Sequence, residues 1–261
     1  MRLTTLVRFS KWHALGNSYL LVEPEAAARP VDADLVRRVC DVRRGVGSDG
    51  VLEIVRVDGA EVEITIWNPD GSNAEFSGNG TRLAAMWLAE RTGADEVAVR
   101  VGTAAYRARR RGALVEMEVG EVSVAPVETL AVDGDEVEFV PVSVGNPHAV
   151  VRRAPVREEL LRLGPLLERH DRFPERTNVQ LADAAGAGTV RALVWERGAG
   201  ETSASGSSAV AVAAAAVAGG WAESPVTVSM PGGDLAVALD AAGRAWLTGP
   251  AVEIARGELV L

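Results

Sequence analysis

The sequence predicts a mixed α/β fold of two similar halves, in which each half is a mostly antiparallel sheet around one central helix. Three observations predict this fold. Short stretches of alternating or β-branched residues dominate the chain. Few stretches between them have helical character. One order of motifs also recurs at a fixed offset, as is typical of a repeated structural unit.

The predicted elements follow from these patterns. Alternation of apolar and polar residues predicts strands at residues 61–67, 97–101, 113–119, 190–195 and 226–230. Four stretches between the strands are predicted as helices, at residues 33–43, 80–91, 156–170 and 207–218.

The repeat is clearest around two serines, Ser77 and Ser205, which lie 128 residues apart. Each serine follows a tryptophan by ten residues, and each precedes a glycine and a predicted helix of similar length. The segments LGNSYLLVE (15–23) and VGNPHAVVR (144–152) correspond at an offset of 129. Residues 97–99 and 226–228, and then Gly120 and Gly249, repeat at that offset as well.

The repeat predicts two homologous domains. The first covers residues 1–122, and a terminal strand at 251–261 can return to it. The second covers residues 123–250.

The polar clusters behind the two serines are predicted to be helix N-termini. Gly78, Asn79 and Gly80 in one half correspond to Gly206, Ser207 and Ser208 in the other. A helix N-terminus presents unpaired N–H groups and a partial positive charge, and small residues let a ligand approach the backbone. We therefore expect Ser77 and Ser205 to face one another across an interdomain cleft that holds a carboxylate from both sides. The alternative is that both serines are ordinary N-caps.

Composition excludes several classes of function. The chain has 261 residues, 48% of them hydrophobic, a net charge of −9 and a pI near 5.0. A broad basic surface for nucleic acid or anionic lipid is therefore not expected. The apolar run at 209–218 is far shorter than the ~20 residues that span a bilayer, and the N-terminus has no signal-peptide pattern.

Cofactor and metal sites are not expected either. Cys40 is the only cysteine, which excludes an intrachain disulfide and is consistent with the cytoplasm. His13, His148 and His170 are scattered and lack metal-binding motifs. Lys11 is the only lysine, so a pyridoxal-phosphate Schiff base could form only there.

Long motifs resemble the diaminopimelate epimerase family nearly end to end. The segments that carry the resemblance are FSKWHALGNSYLLVE, NPDGSNAEFSGNGTR, VGNPHAVV, LGPLLERHDRFPERTNVQ, WERGAGETSASGSS and MPGGDLAV. The resemblance implies the epimerase fold of two mirrored domains, no cofactor and a homodimer. It also implies an isomerase that converts LL-diaminopimelate to the meso form, for the synthesis of lysine and the cell wall.

The resemblance also implies two catalytic cysteines, one per domain, of which one removes the α-proton and the other protonates the opposite face. Here Ser77 and Ser205 stand at those positions. A serine hydroxyl is far less acidic than a thiol and needs a neighbouring base. Cys40 falls inside the predicted helix at 33–43, where we expect it to be buried.

Other family positions imply a substrate pocket. By resemblance, it is lined by Asn17, Asn68, Gly78, Asn79, Asn146, His148, Asn178, Glu196, Arg197, Gly206 and Ser207. Arg197 would bind the distal carboxylate and Glu196 the distal ammonium, whereas His148 would orient the substrate or act as the base. The alternatives are a surface ion pair at a strand end for WERG, and turn residues for the individual asparagines.

Three functions remain open from the residues. The first is diaminopimelate epimerisation through Ser77 and Ser205. The second is an isomerase of the same fold with another substrate or a one-base reaction. The third is a protein that binds a dicarboxylic amino acid without turning it over.

Overall fold

The computed structural model describes residues 6–23 and 30–260, which form two compact units. Of these residues, the first unit contains 6–23, 30–117 and 249–260, and the second contains 118–248. The division lies five residues before the predicted boundary after residue 122. The strand predicted at 251–261 groups with the first unit, although residue 261 lies outside the described residues.

Residues 6–23 and 30–121 form ten described elements. The strands are β1 (Leu6–Ala14), β2 (Asn17–Val22), β3 (Val51–Asp58), β4 (Glu61–Trp67), β5 (Asn73–Ala74), β6 (Glu96–Val101), β7 (Ala104–Arg111) and β8 (Leu114–Glu121). The helices are α1 (Ala33–Cys40) and α2 (Gly78–Thr92).

The second half adds thirteen more. Its strands are β9 (Ser123–Val124), β10 (Glu128–Val132), β11 (Asp135–Ser143), β12 (Pro147–Arg152), β13 (Asn178–Gly186), β14 (Thr189–Glu196), β15 (Gly200–Thr202), β16 (Val226–Met230), β17 (Gly233–Leu239), β18 (Arg244–Pro250) and β19 (Val252–Val260). Its helices are α3 (Arg157–Glu168) and α4 (Gly206–Ala218).

The two halves share one pairing pattern. In the first, β2 pairs with β3 and β4 with β6 in parallel, whereas β1–β2, β3–β4, β4–β5 and β6–β7 are antiparallel. In the second, β12–β13 and β14–β16 are parallel, and β11–β12, β13–β14, β14–β15 and β16–β17 are antiparallel. The final strand, β19, pairs antiparallel with β1.

Each sheet packs a helix on both faces. In β13, Val179 and Leu181 join a core cluster with Leu160 and Leu163 of α3, whereas Gln180 between them reaches the first turn of α4. Because side chains alternate along a strand, one strand can contact both helices.

The central helices are almost entirely buried, from Gly80 to Ala89 in α2 and from Ser208 to Ala216 in α4.

The predicted elements are all found; β4 and β16 have their predicted bounds, and the others differ at one or both ends. The largest shift is in α1, which ends at Cys40 rather than at residue 43. The Asp41 side chain accepts hydrogen bonds from the backbone N–H groups of Arg43 and Arg44, both at 2.8 Å. This local bonding competes with continuation of the helix.

Candidate active site

Ser77 and Ser205 both occupy the N-cap position of a central helix, and so lie at helix N-termini as the sequence predicts. Ser77 precedes α2 with φ −143° and ψ 114°, and Ser205 precedes α4 with φ −143° and ψ 127°. The two helices therefore begin with nearly the same backbone geometry. Gly206, buried, and Ser207, half-buried, open α4 as Gly78 and Asn79 open α2.

In the first unit, Ser77 is half-buried and has two polar neighbours. Its Oγ accepts a hydrogen bond from the Gly80 N–H at 3.0 Å, which is ordinary N-cap behaviour. The Tyr19 hydroxyl lies 3.1 Å from the same oxygen, and either group could donate. Ser77 thus has one backbone donor and one hydroxyl partner, and no carboxylate is bonded to it among the described residues.

A buried arginine supports the same helix end. Arg82 has 0% of its surface exposed, and its guanidinium turns back towards the start of α2. Nη1 donates to the Gly78 carbonyl at 3.1 Å and Nη2 to Asn79 Oδ1 at 2.6 Å. Burial lowers the pKa of Arg82 to about 10, so the side chain remains charged at neutral pH. A positive charge is therefore held beside the helix N-terminus.

Asn79 connects this arginine to the predicted pocket. Its Nδ2 donates to Asn17 Oδ1 at 3.1 Å. The structure thus joins Asn17, Gly78 and Asn79 in one network around Arg82. Asn68, also predicted to line the pocket, donates instead to Ser72 Oγ at 3.0 Å within its own turn.

In the second unit, Ser205 has a different partner. Its hydroxyl donates to Glu196 Oε2 at 3.1 Å, and its side chain makes no cap bond to α4. Ser205 is only 5% exposed. The family resemblance implies that Glu196 binds a distal ammonium, and in the structure its carboxylate accepts a hydrogen bond from the Ser205 hydroxyl.

His148 belongs to a buried network below the first turn of α4. Gln180 Nε2 donates to His148 Nδ1 and to Ser208 Oγ, both at 3.0 Å. With Nδ1 accepting, the neutral ring carries its proton on Nε2, which lies 3.0 Å from Asn146 Oδ1. Burial, with a smaller effect of the nearby Arg197 charge, lowers the pKa of His148 to about 3. His148 is therefore a weak base whose one free ring nitrogen already accepts from Gln180, which favours the orienting role over the role of base.

Asn178 and Arg197 also meet. Asn178 donates through Nδ2 to the Pro147 carbonyl at 3.0 Å, and its Oδ1 accepts from the Arg197 backbone N–H at 3.0 Å. The Arg197 side chain is exposed, and its Nη1 donates to the Glu175 carbonyl at 3.1 Å. The guanidinium is thus accessible to an anionic ligand.

Sequence reasoning missed three residues of these networks: Tyr19, Arg82 and Gln180. A signal for Tyr19 exists in the repeat, because the offset of 129 aligns it with His148, and the strand pairing gives the same equivalence. Leu20 pairs with Val51 in the first unit, and Ala149 pairs with Val179 in the second. Tyr19 and His148, each one residue earlier, are therefore equivalent. The predicted role of Cys40 is consistent with its place in α1, where burial raises the pKa of its thiol to about 11.

Comparison with known proteins identifies the family. The family model described as diaminopimelate epimerase matches residues 9–124 and 140–254. The chain belongs to the diaminopimelate epimerase family. A diaminopimelate epimerase from Magnetococcus marinus is 37% identical over 272 aligned residues, which cover 97% of this chain and 97% of that protein.

Solved structures share the epimerase fold. A predicted epimerase from Pseudomonas aeruginosa matches with a TM-score of 0.71 at 20% identity, over 97% of this chain and 99% of that one. A hydroxyproline epimerase from Agrobacterium vitis, solved with trans-4-hydroxy-L-proline, matches with a TM-score of 0.70 at 17% identity, over 98% and 91%. The predicted fold class and the predicted family are both confirmed, and so is the prediction that the protein is an isomerase. Across residues 6–23 and 30–260, no helix has the length and apolar character needed to cross a membrane.

Proposed function

We propose that this epimerase inverts an α-carbon of diaminopimelate between the LL and meso forms, with Ser77 and Ser205 as the two proton-transferring groups. The observation that carries the proposal is the hydrogen bond from Ser205 Oγ to Glu196 Oε2 at 3.1 Å. A serine can act as a base only when a neighbouring group takes its proton, and Glu196 is in position to do so.

Proton removal is assigned to the second unit. As Ser205 Oγ takes the α-proton, its own hydroxyl proton passes to Glu196. The electron pair of the broken C–H bond remains on the substrate and delocalises into the adjacent carboxylate. Water is largely kept from this hydroxyl, since Ser205 is 5% exposed. A low local dielectric strengthens the interaction with the carboxylate.

Proton delivery is assigned to the first unit. Ser77 gives its hydroxyl proton to the opposite face of the carbanion, and the Tyr19 hydroxyl, 3.1 Å away, can replace it. The Gly80 N–H and the buried charge of Arg82 stabilise the oxygen as its proton leaves. The reverse reaction exchanges these roles. Inversion requires both serines to reach one substrate molecule from opposite sides.

The substrate class rests on Arg197 and the asparagines. The exposed guanidinium of Arg197 suits a distal carboxylate, which it can bind in a bidentate way. Asn17 and Asn79 around Arg82, and Asn146 beside His148, offer amide groups to the polar ends of an amino acid. The relative from Magnetococcus marinus is a diaminopimelate epimerase, and its identity to this chain extends over both halves.

Incubation with LL-diaminopimelate in D₂O tests the proposal. Meso product with deuterium at the inverted carbon is the expected result. Binding without deuterium uptake would contradict it and would favour a non-catalytic amino-acid-binding protein, a reading supported by the ordinary cap bond of Ser77. Failure to bind would point to an isomerase of this fold with another substrate.

We also propose a cytoplasmic homodimer, as the family resemblance implies. The buried thiol of Cys40 is compatible with a reducing compartment. Light scattering on the purified protein distinguishes a dimer of the 27.4 kDa chain from a monomer.

A further inference from the structure

A buried carboxylate, Glu168, accepts hydrogen bonds from the residues that flank Glu196 and Arg197 in the sequence. Glu168, the last residue of α3, is 2% exposed. Its Oε2 accepts a hydrogen bond from Trp195 Nε1 at 2.8 Å, and its Oε1 accepts from the Gly198 N–H at 3.0 Å. These two donors immediately precede and follow Glu196 and Arg197.

The face of α3 that carries Glu168 packs against the indole of Trp195 at Gly164. Gly164 lies one helical turn before Glu168, and a Cβ added there would come within 2.7 Å of Trp195 Cγ. The absence of a side chain at Gly164 therefore lets the indole lie against the helix. Glu168 then takes the indole N–H at the end of the same face.

The turn after Trp195 is held at successive backbone groups. Asn178 Oδ1 accepts from the Arg197 N–H and Glu168 Oε1 from the Gly198 N–H, both at 3.0 Å. The Ala199 N–H donates to the Glu196 carbonyl at 3.1 Å and closes the turn. With its backbone fixed in this way, Glu196 directs its carboxylate to Ser205.

A carboxylate is required for this arrangement because it accepts hydrogen bonds at two oxygens, whereas a glutamine offers one acceptor and one donor. Burial by itself would raise the pKa of Glu168, but the bonds from Trp195 and Gly198 offset it and hold the pKa below its usual value. Arg176 lies 3.6 Å away and adds an opposite charge. The side chain therefore remains ionised, with both oxygens available as acceptors.

We propose that Glu168 is a positioning residue that fixes Glu196 towards Ser205 and Arg197 towards the substrate. The catalytic consequence rests on the function proposed above, whereas the structural consequence does not. Glu168 acts through the turn at 196–198 and contacts neither serine.

The first test needs no substrate. Amide hydrogen exchange of the full chain is measured by mass spectrometry for wild type, Glu168→Gln and Glu159→Gln. Glu159 lies on the same helix but binds Arg153 and Arg162, so it is the matched control. We expect Glu168→Gln to speed exchange about tenfold at residues 195–200, since one hydrogen bond is lost, and to leave α4 protected. Unchanged exchange at 195–200 in the folded variant would overturn the proposal.

Trp195→Phe provides a milder variant if Glu168→Gln does not fold. It keeps an aromatic ring but replaces the indole with the smaller phenyl group, which has no N–H, so one of the two bonds to Glu168 is released. Faster exchange at 195–200 is again expected, by a smaller factor. Unchanged amide exchange at 195–200 would contradict the proposal that Glu168 positions this turn.

The second test uses LL-diaminopimelate and a double-mutant cycle. Glu168→Gln should raise KM about tenfold by releasing the turn that carries Arg197, and it should raise KM little further when Arg197→Ala is already present. Independent, multiplicative effects would show that Glu168 does not act through Arg197. If wild type neither binds nor turns over diaminopimelate, the proposed function fails, and the exchange experiment still decides the role of Glu168.

Discussion

The first turns of α2 and α4 have the same backbone and opposite electrostatic surroundings. Both begin at a serine N-cap with φ −143°. In the first unit, Ser77 is contacted by the Gly80 N–H and the Tyr19 hydroxyl, with the Arg82 charge beside the same turn. In the second, Ser205 donates to a carboxylate, Glu196. The backbone of the repeat is thus preserved while the chemistry has become asymmetric.

The same divergence occurs at the equivalent tryptophans, Trp67 and Trp195. Trp67 Nε1 donates to Glu53 Oε2 at 2.9 Å, from the neighbouring strand β3. Trp195 donates instead to Glu168 of α3, which also binds the following turn. In the first unit, the backbone N–H after Trp67 donates to the Ser72 carbonyl at 2.8 Å, within its own turn. The turn after Trp67 accepts a hydrogen bond from Arg37 of α1 at the Asp70 carbonyl, at 2.9 Å, whereas the turn that carries Glu196 and Arg197 is held by a buried carboxylate of α3.

The largest expected effect comes from removing the carboxylate of Glu196, which accepts the hydrogen bond from Ser205. Glu196→Gln should lower the rate of α-proton exchange about 10²–10⁴-fold, the usual contribution of a general base. The measurement is deuterium uptake from D₂O into diaminopimelate. Glu201→Gln is the matched control, since Glu201 is an exposed carboxylate that binds Arg157. Equal rates for wild type and Glu196→Gln would show that Glu196 is not the base that takes the proton of Ser205.

Arg197→Ala tests the exposed cation of the second unit. We expect binding of a dicarboxylic amino acid to weaken by about 2 kcal/mol, the contribution of hydrogen bonds to a charged group. Titration calorimetry measures the change, and Arg191→Ala, an exposed arginine on β14, serves as control. An unchanged dissociation constant would show that Arg197 does not contact the ligand.

Burial of His148 gives the second unit a sensitivity to acid. Its pKa is about 3 in the folded protein and near 6.5 when unfolded. The unfolded chain therefore binds a proton between these values while the folded protein does not, and stability falls as the pH drops below about 6.5. Between pH 7.5 and 5 this amounts to about 2 kcal/mol.

Urea unfolding at pH 7.5 and at pH 5 measures this contribution. His148→Gln should lose less stability on acidification than wild type, whereas His170→Gln should behave like wild type. His170 is only half-buried and accepts from a backbone N–H in its own turn. Equal losses for wild type and His148→Gln would contradict the expected linkage.

The smallest expected effect compares the two helix ends directly. The thiol introduced by Ser77→Cys should have a pKa about one unit below that introduced by Ser205→Cys, because Arg82 favours the thiolate and Glu196 opposes it. The pH dependence of iodoacetamide labelling measures both values. Labelling of Cys40 should be slow over this pH range, since burial raises the pKa of its thiol to about 11.

Adding Arg82→Met to Ser77→Cys identifies the source of the difference. The thiol pKa should rise towards that of the second unit, whereas Arg91→Met, at the far end of the same helix, should leave it unchanged. Identical titration curves for the two thiols would show that the two ends are electrostatically equivalent after all.

The sequence alone determined the scaffold. Alternation defined β4 and β16 to the residue, and the offset of 128–129 revealed the duplication before any pairing was known. It also located Ser77 and Ser205 at the N-terminal ends of two buried helices. These features are recoverable because strand periodicity, helix capping and repetition are properties of neighbouring residues along the chain.

Only the tertiary structure decided how the two serines differ. Tyr19 reaches Ser77 across 58 positions of sequence, and Glu168 reaches Gly198 across 30. Such contacts depend on strand register and on which helix face meets the sheet, and no local pattern encodes them. The orientation of Glu196 towards Ser205 likewise follows from an anchored turn. Local sequence determined where the two sites lie, and packing between distant segments determined the charge at each.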